Sequence, residues 1–150
     1  MNYNKNDIIQ SLVSSGIRSG DSVFFTTSLG MVGIPPKEIN SSEKLNTLFI
    51  DAISEVIKDG NIIVPTYSYT FGASTATELK IFDLKKTKSE IGPFPNYVLS
   101  RSDFIRSADP FVSVACKGKD CNILLSGLSN SSYGKGSFFS KMVFFKKQNL

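Results

Sequence analysis

The residues best suited to chemistry lie in one short stretch, residues 106–118, which reads RSADPFVSVACKG. This stretch combines a guanidinium, two hydroxyls and a carboxylate with a proline bend and a short apolar strand. Such a mixture is typical of a binding or catalytic site rather than of a hydrophobic core. The chain has no histidine, so these residues alone cannot supply an imidazole as general base, nucleophile or metal ligand. The sequence therefore predicts part of an active site without the usual base.

Length and composition indicate an ordinary globular class of protein. With 150 residues and 41% hydrophobic side chains, the chain can bury a core, and we expect residues 1–150 to form a single α/β domain. The net charge is +4, from 17 basic and 13 acidic side chains. Lysine pairs at 85–86 and 146–147 supply much of this excess, and such pairs are usually solvated surface, so nucleic-acid binding is not favoured. A small ligand that carries phosphate accounts for the charge equally well.

No apolar run in the sequence is long enough for a membrane span, and the first twenty residues are amphipathic and include Asp7, unlike a signal peptide. We therefore expect a cytoplasmic protein without a membrane partner. Cys116 and Cys121 are separated by Lys-Gly-Lys-Asp. The spacing permits a disulfide, but a reducing compartment favours two free thiols. A zinc site would need a second ligand pair, so no metal is predicted.

Hydrophobic periodicity predicts helices that alternate with strands. An amphipathic helix is expected over residues 5–15. The best-defined helix follows Asn40, which can cap it with Glu43 three residues later. A short helix is expected after Pro95, and a helical turn over residues 119–126.

The strands are expected to be short and buried. They are predicted at residues 22–28, 61–64, 111–116 and 143–145. Pro65 must lie at the end of its strand, because proline cannot donate to a central sheet ladder. Residues 70–92 have no sustained period and predict a long surface excursion. Together the elements predict a layered α/β/α fold with a mixed central sheet that is incomplete at the C-terminus.

Four motif blocks follow one another along the chain. The first is Gly20-Asp21 with a strand and TTSL at 26–29, and the second is Asp59-Gly60 with VPTY at 64–67. The third is RSADP at 106–110 with Ser-Val at 113–114, and the fourth is GKGS at 134–137. From about residue 5 to residue 145, their order and spacing resemble the N-terminal part of the aminoglycoside 3-N-acetyltransferase family. That family has a His-Ser-Ser-Leu loop, Met-Pro-Thr, Arg-Ser-x-His-Pro and Gly-x-Gly-Ser in the corresponding places.

The chain departs from the family pattern in two ways. Thr26 and Asp109 stand where the family tends to have histidine. Family members are usually well over 200 residues long, and their catalytic base is a histidine in a His-x-Ala-Glu motif of the C-terminal half, which has no counterpart here. The resemblance thus implies a form that lacks its catalytic base, and the catalytic residue stays unknown.

The resemblance implies an N-acetyltransferase that uses acetyl-coenzyme A to modify an amino group of an aminoglycoside or related amino sugar. Residues matching the family motifs are then expected to bind the coenzyme: Thr27, Ser28, Leu29, Arg106, Ser107, Ser113 and Val114. Three others are expected to face the substrate: Thr66, Tyr67 and Asp109. Backbone N–H groups of the 27–29 loop are suited to a developing oxyanion, and Arg106 or Lys135 to a diphosphate. Asp109 is a poor base for an amine but could attract a cationic amino sugar.

Plainer interpretations stay open for the same residues. Thr27 and Ser28 could merely close a turn, Ser113 and Val114 could be strand core, and residues 134–137 could form a surface turn. Arg106 could pair with Asp103 or Asp109 to fix the fold.

Plainer functions stay open for the whole chain. It could be a scaffold or coenzyme-binding remnant without catalysis. An unrelated nucleotide-binding domain is disfavoured, because neither G-x-G-x-x-G nor a P-loop follows a strand. Because the last predicted strand would leave a sheet edge uncovered, we expect self-association or pairing with a complementary polypeptide.

Overall fold

The computed structural model describes residues 3–69 and 81–148, with side chains up to residue 145. Five helices are described: α1 (Lys5–Ser14), α2 (Ser42–Ile57), α3 (Pro93–Ser100), α4 (Cys121–Leu125) and α5 (Phe138–Gln148). Four strands are described: β1 (Ser22–Phe24), β2 (Asn61–Pro65), β3 (Ile105–Arg106) and β4 (Val114–Gly118). None of the described helices is long and apolar enough to span a bilayer. Residues 70–80 of the predicted surface excursion lie outside the described residues.

The four strands form one mixed sheet in the order β1-β2-β4-β3. β1 runs parallel to β2, β4 runs antiparallel to β2, and β3 runs antiparallel to β4. Every residue of β2 is buried, as expected for a central strand covered on both faces. These directions place the ends of β1, β2 and β3 at the same edge of the sheet as the start of β4.

Helices cover both faces of this sheet. Ile62 and Val64 of β2 pack against α1, α2 and α3, while Ile63 points to the opposite face and packs with α4 and α5. Alternation along a strand sends neighbouring side chains to opposite faces. The layered α/β/α fold with a mixed sheet is therefore confirmed.

The capping prediction for α2 is wrong by one residue. Ser41 caps the helix, since its Oγ accepts from the backbone N–H of Lys44 at 3.2 Å. Asn40 instead accepts from the Lys44 ammonium at 2.9 Å. The helix predicted after Pro95 begins earlier, at Pro93, where the missing N–H of a first-turn proline costs nothing.

Two strands are shifted from their predicted ranges. β1 ends at Phe24 rather than 28, although the N–H of Phe25 still donates to the Ile63 carbonyl at 2.7 Å. The next bond of a parallel ladder would come from residue 65, and Pro65 has no N–H to give. β4 begins at Val114 rather than 111, because residues 110–112 form a turn ahead of the strand, and it ends at Gly118.

The strand predicted at 143–145 is wrong, since these residues belong to α5. Ser137 begins the helix by accepting from the Ser140 N–H at 3.2 Å. Phe138, Met142 and Phe145 recur at helical spacing and contribute to the cluster on the α4–α5 face. The apolar run is thus part of a helix, with Phe138, Met142 and Phe145 on its inward face.

The prediction of free thiols is also wrong. Cys116 of β4 and Cys121 at the start of α4 form a disulfide. The turn between them folds back so that their Cα atoms lie 5.6 Å apart, inside the range that a disulfide requires. The bridge joins the sheet directly to the α4–α5 layer.

We predict that reduction of this disulfide lowers the free energy of unfolding by about 2 kcal/mol, the chain-entropy value for so short a loop. Urea unfolding with and without a phosphine reductant measures the difference. A Cys116→Ala/Cys121→Ala variant serves as the control and should not respond to the reductant. Two titratable thiols in the unfolded, unreduced chain would contradict the prediction.

Gly118 lies at the end of the β2–β4 ladder, where it pairs with Asn61. Its backbone conformation leads to a second prediction. Its φ is 141°, and an added Cβ would lie 2.7 Å from the Cα of Asn61. Gly118→Ala should therefore lower the free energy of unfolding by about 2–5 kcal/mol, from backbone strain and overpacking together. Gly30→Ala, where an added Cβ meets nothing within 4 Å, is the matched control. Equal free energies of unfolding for the two variants, measured in urea, would contradict this explanation.

Candidate active site at the strand ends

Three of the four motif blocks converge on the sheet edge where β1, β2 and β3 end. Just past the end of β2, the N–H of Thr66 donates to the Ser113 carbonyl at 2.8 Å. Just past the end of β3, the N–H of Ser107 donates to the Val114 carbonyl at 2.8 Å. The loop that follows β1 opens at the same edge, since β1 is parallel to β2. Residues separated by up to 90 positions in sequence thus share one site.

Arg106 ties this edge together. Its guanidinium donates to the Thr66 carbonyl at 2.9 Å, to the Thr87 carbonyl at 2.5 Å and to Ser113 Oγ at 3.1 Å. The same guanidinium lies over the ring of Phe82, 4.7 Å from its centroid. Burial lowers the pKa of Arg106 from its usual value. The planar fork of an arginine suits several acceptors at once, and here it holds residues 81–92 against the strand ends.

The alternative pairing of Arg106 with Asp103 or Asp109 is wrong. Asp103 is paired with Arg101 through two bonds of 2.7 and 2.8 Å, and with Lys117 at 3.0 Å. The hydrogen bond from Arg101 is the main cause that lowers the Asp103 pKa to about 2. These three residues fix the outer side of the sheet and leave Arg106 to the site.

Several of the predicted site residues lie beneath the surface. Thr66, Ser107, Ser113 and Val114 are all buried. Thr66 Oγ1 and Ser113 Oγ are 2.9 Å apart, and Ser107 Oγ accepts from the Val114 N–H at 2.9 Å. Their side chains therefore form the buried base of the site, beneath the loops. Their assignment to coenzyme or substrate stays a prediction.

Asp109 is less buried than these residues and lies in a tight turn. Its Oδ1 accepts from the N–H groups of Phe111 and Val112 at 2.8 and 2.9 Å, and from Ser132 Oγ at 3.2 Å. Such a turn fixes the carboxylate by its own backbone. The charge is near Tyr67, whose pKa is raised mainly by burial and further by Tyr133, Tyr69 and Asp109.

The loop after β1 lines a small cavity. Its volume is about 220 Å³, and its walls come from the loop after β1, the end of β2, the start of α3 and a residue just before α3, namely Phe25, Thr26, Thr27, Val64, Pro65, Ile91, Phe94 and Pro95. This volume is below the roughly 300–1,000 Å³ of a complete ligand pocket, so it suits one end of a ligand. Within residues 3–69 and 81–148, no acceptor is recorded for the N–H groups of Thr27, Ser28 and Leu29.

The fourth block takes the plainer of its two interpretations. Gly134 and Gly136 have φ values of 85° and 80°, and the Ser137 N–H donates to the Gly134 carbonyl at 3.1 Å. Ser137 then begins α5. Residues 134–137 are therefore a turn that starts a helix, and Lys135 on that turn is exposed.

Sequence reasoning missed several residues of this edge. Tyr69 packs on Phe111 with ring centroids 5.9 Å apart, and Tyr133 stacks on Phe139 at 5.5 Å. Ser68 Oγ donates to the Pro110 carbonyl at 2.9 Å. The aromatic-rich run after Pro65 was the available signal. Among the described residues, no group of acidic, cysteine or histidine side chains could hold a metal ion.

A match to a protein-family profile shows which family the chain belongs to. The sequence profile described as Aminoglycoside 3-N-acetyltransferase matches residues 31–146. The chain belongs to the aminoglycoside 3-N-acetyltransferase family. The match begins after the first motif block and includes the other three, and the N-terminal resemblance is confirmed. No curated protein sequence matches the chain.

Several solved structures share the fold. A structure titled "AAC-IIIb binary with CoASH" has a TM-score of 0.78 and 16% identity, with 97% of this chain and 57% of that chain covered. The YokD protein from Bacillus subtilis has a TM-score of 0.79 and 20% identity, with 95% and 61% covered. The aminoglycoside acetyltransferase AAC(3)-Xa has a TM-score of 0.78 and 22% identity, with 96% and 54% covered. The chain thus spans between half and two thirds of these structures.

The position of Arg106 leads to a third prediction. Arg106→Lys should lower the free energy of unfolding by about 2–3 kcal/mol, because one ammonium cannot serve three separated acceptors and buried carbonyls are left unpaired. It should also speed the amide exchange of Thr87 and Ser89, as residues 81–92 loosen. Lys86→Met, an exposed cation of the same segment, is the control. Unchanged exchange in Arg106→Lys would show that the guanidinium does not hold this segment.

Proposed function

We propose that this chain provides the coenzyme-binding part of an acetyl-coenzyme A-dependent N-acetyltransferase that modifies an amino group of an aminoglycoside or related amino sugar. Family membership supports the reaction class, and one structure of similar fold has CoASH in its title. A second, of AAC-VIa with a TM-score of 0.75, is titled as bound to sisomicin. The observation that carries the proposal is the meeting of three family motif blocks at one sheet edge.

The reaction places specific demands on this edge. The amine nitrogen attacks the thioester carbonyl, the carbon–sulfur bond breaks, the nitrogen loses a proton, and coenzyme A leaves as a thiol. Negative charge develops on the carbonyl oxygen during attack, so preorganised N–H donors lower the barrier. The N–H groups of Thr27, Ser28 and Leu29, which have no recorded acceptor among residues 3–69 and 81–148, would suit that role. The small cavity beside Thr27 would receive the acetyl end of the donor.

The other residues at this edge would then bind or position. Asp109 would attract a cationic amino sugar toward the strand ends, with the exposed ring of Tyr69 beside it. Arg106 serves the site from beneath, because its donors hold Thr66, Thr87 and Ser113. Residues 113 and 114 would lie along the pantetheine arm, as the family resemblance implies.

A proton must still leave the attacking nitrogen, and this chain has no histidine to take it. We infer that the base comes from the remaining part of the family fold. The chain on its own would then bind the coenzyme, but it would transfer acetyl groups only when that part is supplied.

The first test of this proposal is a thermal melt with excess acetyl-coenzyme A. Ligand at 100 times its dissociation constant adds about 2.7 kcal/mol to the stability of the folded state. We expect an upward shift of the midpoint that depends on coenzyme concentration. A cooperative melt whose midpoint does not shift with coenzyme would show that this chain does not form the coenzyme site.

A matched pair of variants tests the loop donors. Ser28→Ala keeps the backbone N–H, and Ser28→Pro removes it. We expect the coenzyme-induced shift to survive in the first variant and to fall in the second, with an affinity loss of about tenfold for one lost donor. The melt without ligand shows whether the proline variant folds. Equal shifts in both variants would assign the binding to other groups.

Transfer itself is measured as thiol release from acetyl-coenzyme A in the presence of sisomicin. We expect no release above the uncatalysed rate from the chain alone, and release when a C-terminal part of the family fold is joined to it. Coenzyme binding without transfer in any such combination would favour the non-catalytic scaffold instead.

A further inference from the structure

The small cavity beside the loop after β1 owes its place to a proline. β1 follows β2 as far as the bond from the Phe25 N–H to the Ile63 carbonyl, 2.7 Å long. Pro65 has no N–H for the next bond of the ladder, so the chain leaves the sheet after Phe25. Thr26, Thr27 and the start of α3 then bound the space that opens. The cavity of about 220 Å³ is therefore built into the end of the sheet.

The walls of this cavity are mainly apolar. Six of the eight residues that line it are apolar, the other two are Thr26 and Thr27, and among these described residues none is charged. Val64 and Phe94 are 1% and 4% exposed, whereas Thr26 is exposed and Thr27 half-buried. The polar wall thus lies toward solvent and the apolar walls toward the core. A thioester carbonyl suits the first, and an alkyl chain suits the second, since apolar cavities bind apolar groups.

The apolar walls are held in place before any ligand binds. The Phe94 ring meets the Phe25 ring edge-on, with centroids 5.4 Å apart and planes at 76°. Phe94 lies between Pro93 and Pro95 in the first turn of α3, where the two proline rings fix the backbone. Val98, one turn later, is fully buried in the same cluster. A chain that enters the cavity therefore meets a preorganised surface, which lowers the free-energy cost of binding it.

The cavity is larger than an acetyl group. A water-sized group occupies about 30 Å³ of a liquid, so a cavity of about 220 Å³ has room for roughly seven such groups. An acetyl group fills less than half of that space, whereas a hexanoyl group fills it. A carboxylate at the end of an acyl chain would be buried there without a partner, at a large cost in free energy.

We propose that this cavity binds uncharged straight acyl chains longer than acetyl, up to about hexanoyl, and disfavours acyl groups that end in a carboxylate. This inference deepens the proposed function and rests on it, because the acyl group arrives as a coenzyme A thioester. The bonds exchanged are the same. The amine nitrogen bonds to the acyl carbonyl carbon, the carbon–sulfur bond breaks, and the proton from nitrogen ends on the sulfur of free coenzyme A.

Titration calorimetry with coenzyme A and its acetyl, butyryl and succinyl thioesters tests the preference. We expect butyryl-coenzyme A to bind about tenfold more tightly than acetyl-coenzyme A, because two more methylenes are buried. Succinyl-coenzyme A should bind at least about tenfold more weakly than butyryl-coenzyme A. Equal affinities for the acetyl and butyryl thioesters, or for the butyryl and succinyl thioesters, overturn the inference. The proposed coenzyme site still stands in that case, because coenzyme A itself binds.

Two isoleucines of one segment supply matched variants. Ile91 lines the cavity and is half-buried, so Ile91→Phe should fill the space and bring the ratio of butyryl to acetyl affinity to about one. Ile81 is 72% exposed and is not part of the cavity wall, so Ile81→Phe should keep the ratio of the unchanged chain. A ratio that Ile91→Phe leaves unchanged would place the acyl chain elsewhere and overturn the inference.

A thioester without the nucleotide separates this inference from the coenzyme site. S-butyryl-N-acetylcysteamine should shift the methyl NMR signals of Val64 and Ile91 more than the S-acetyl compound does at the same concentration. If this difference is seen while coenzyme A and its thioesters do not bind, the coenzyme site is wrong and the acyl cavity is right. If neither compound shifts these signals, the acyl cavity is wrong, whether or not coenzyme A binds.

Discussion

The antiparallel pairing of β2 with β4 is the constraint on which the rest of the structure depends. Five residue pairs join these central strands, from Asn61 with Gly118 to Pro65 with Val114. At one end the pairing brings Thr66 against Ser113, and at the other it brings Asn61 against the turn that leads to α4. Both the candidate active site and the opposite end of the sheet are therefore positioned by one ladder.

The two ends of this ladder are finished in different ways. At the candidate active-site end, Arg106 satisfies the carbonyls of Thr66 and Thr87. At the opposite end, the amide of Asn61 donates to Ser22 at 2.8 Å and to Asp120 at 3.0 Å. Buried polar groups that are fully paired make an edge rigid. At each end of the sheet, one polar side chain thus reaches across strands, Arg106 at one end and Asn61 at the other.

Much of the fold could be predicted because strong local patterns agree with it. The apolar stripe of α2 predicts a helix, and the apolar run of β2 predicts a buried strand. Pro65 marks the end of that strand, because proline cannot donate to the ladder. The errors arose where local pattern and tertiary context differ. Phe138–Phe145 is apolar enough for a strand, and only its packing on the α4–α5 face makes it a helix. The disulfide depends on a turn geometry that residue spacing permits without specifying.

The candidate site was predicted by motif more than by physics. The sequence placed Arg106 among the coenzyme contacts because it matches a family motif, and a guanidinium also suits a diphosphate. The structure shows where its donors go, and these acceptors are backbone carbonyls distant in sequence, which no local pattern reveals. Tyr133 likewise joins the site through the chain's return from α4, a contact that only the folded chain defines.

The turn at Asp109 separates backbone shape from electric charge. One carboxylate oxygen, Oδ1, accepts the two N–H groups that fix the turn, and an amide oxygen could accept the same bonds. Asparagine at this position would keep the path of the chain into β4 while making this side chain neutral. The net charge at the strand ends can therefore change by one elementary charge at a single position with little cost in folding stability.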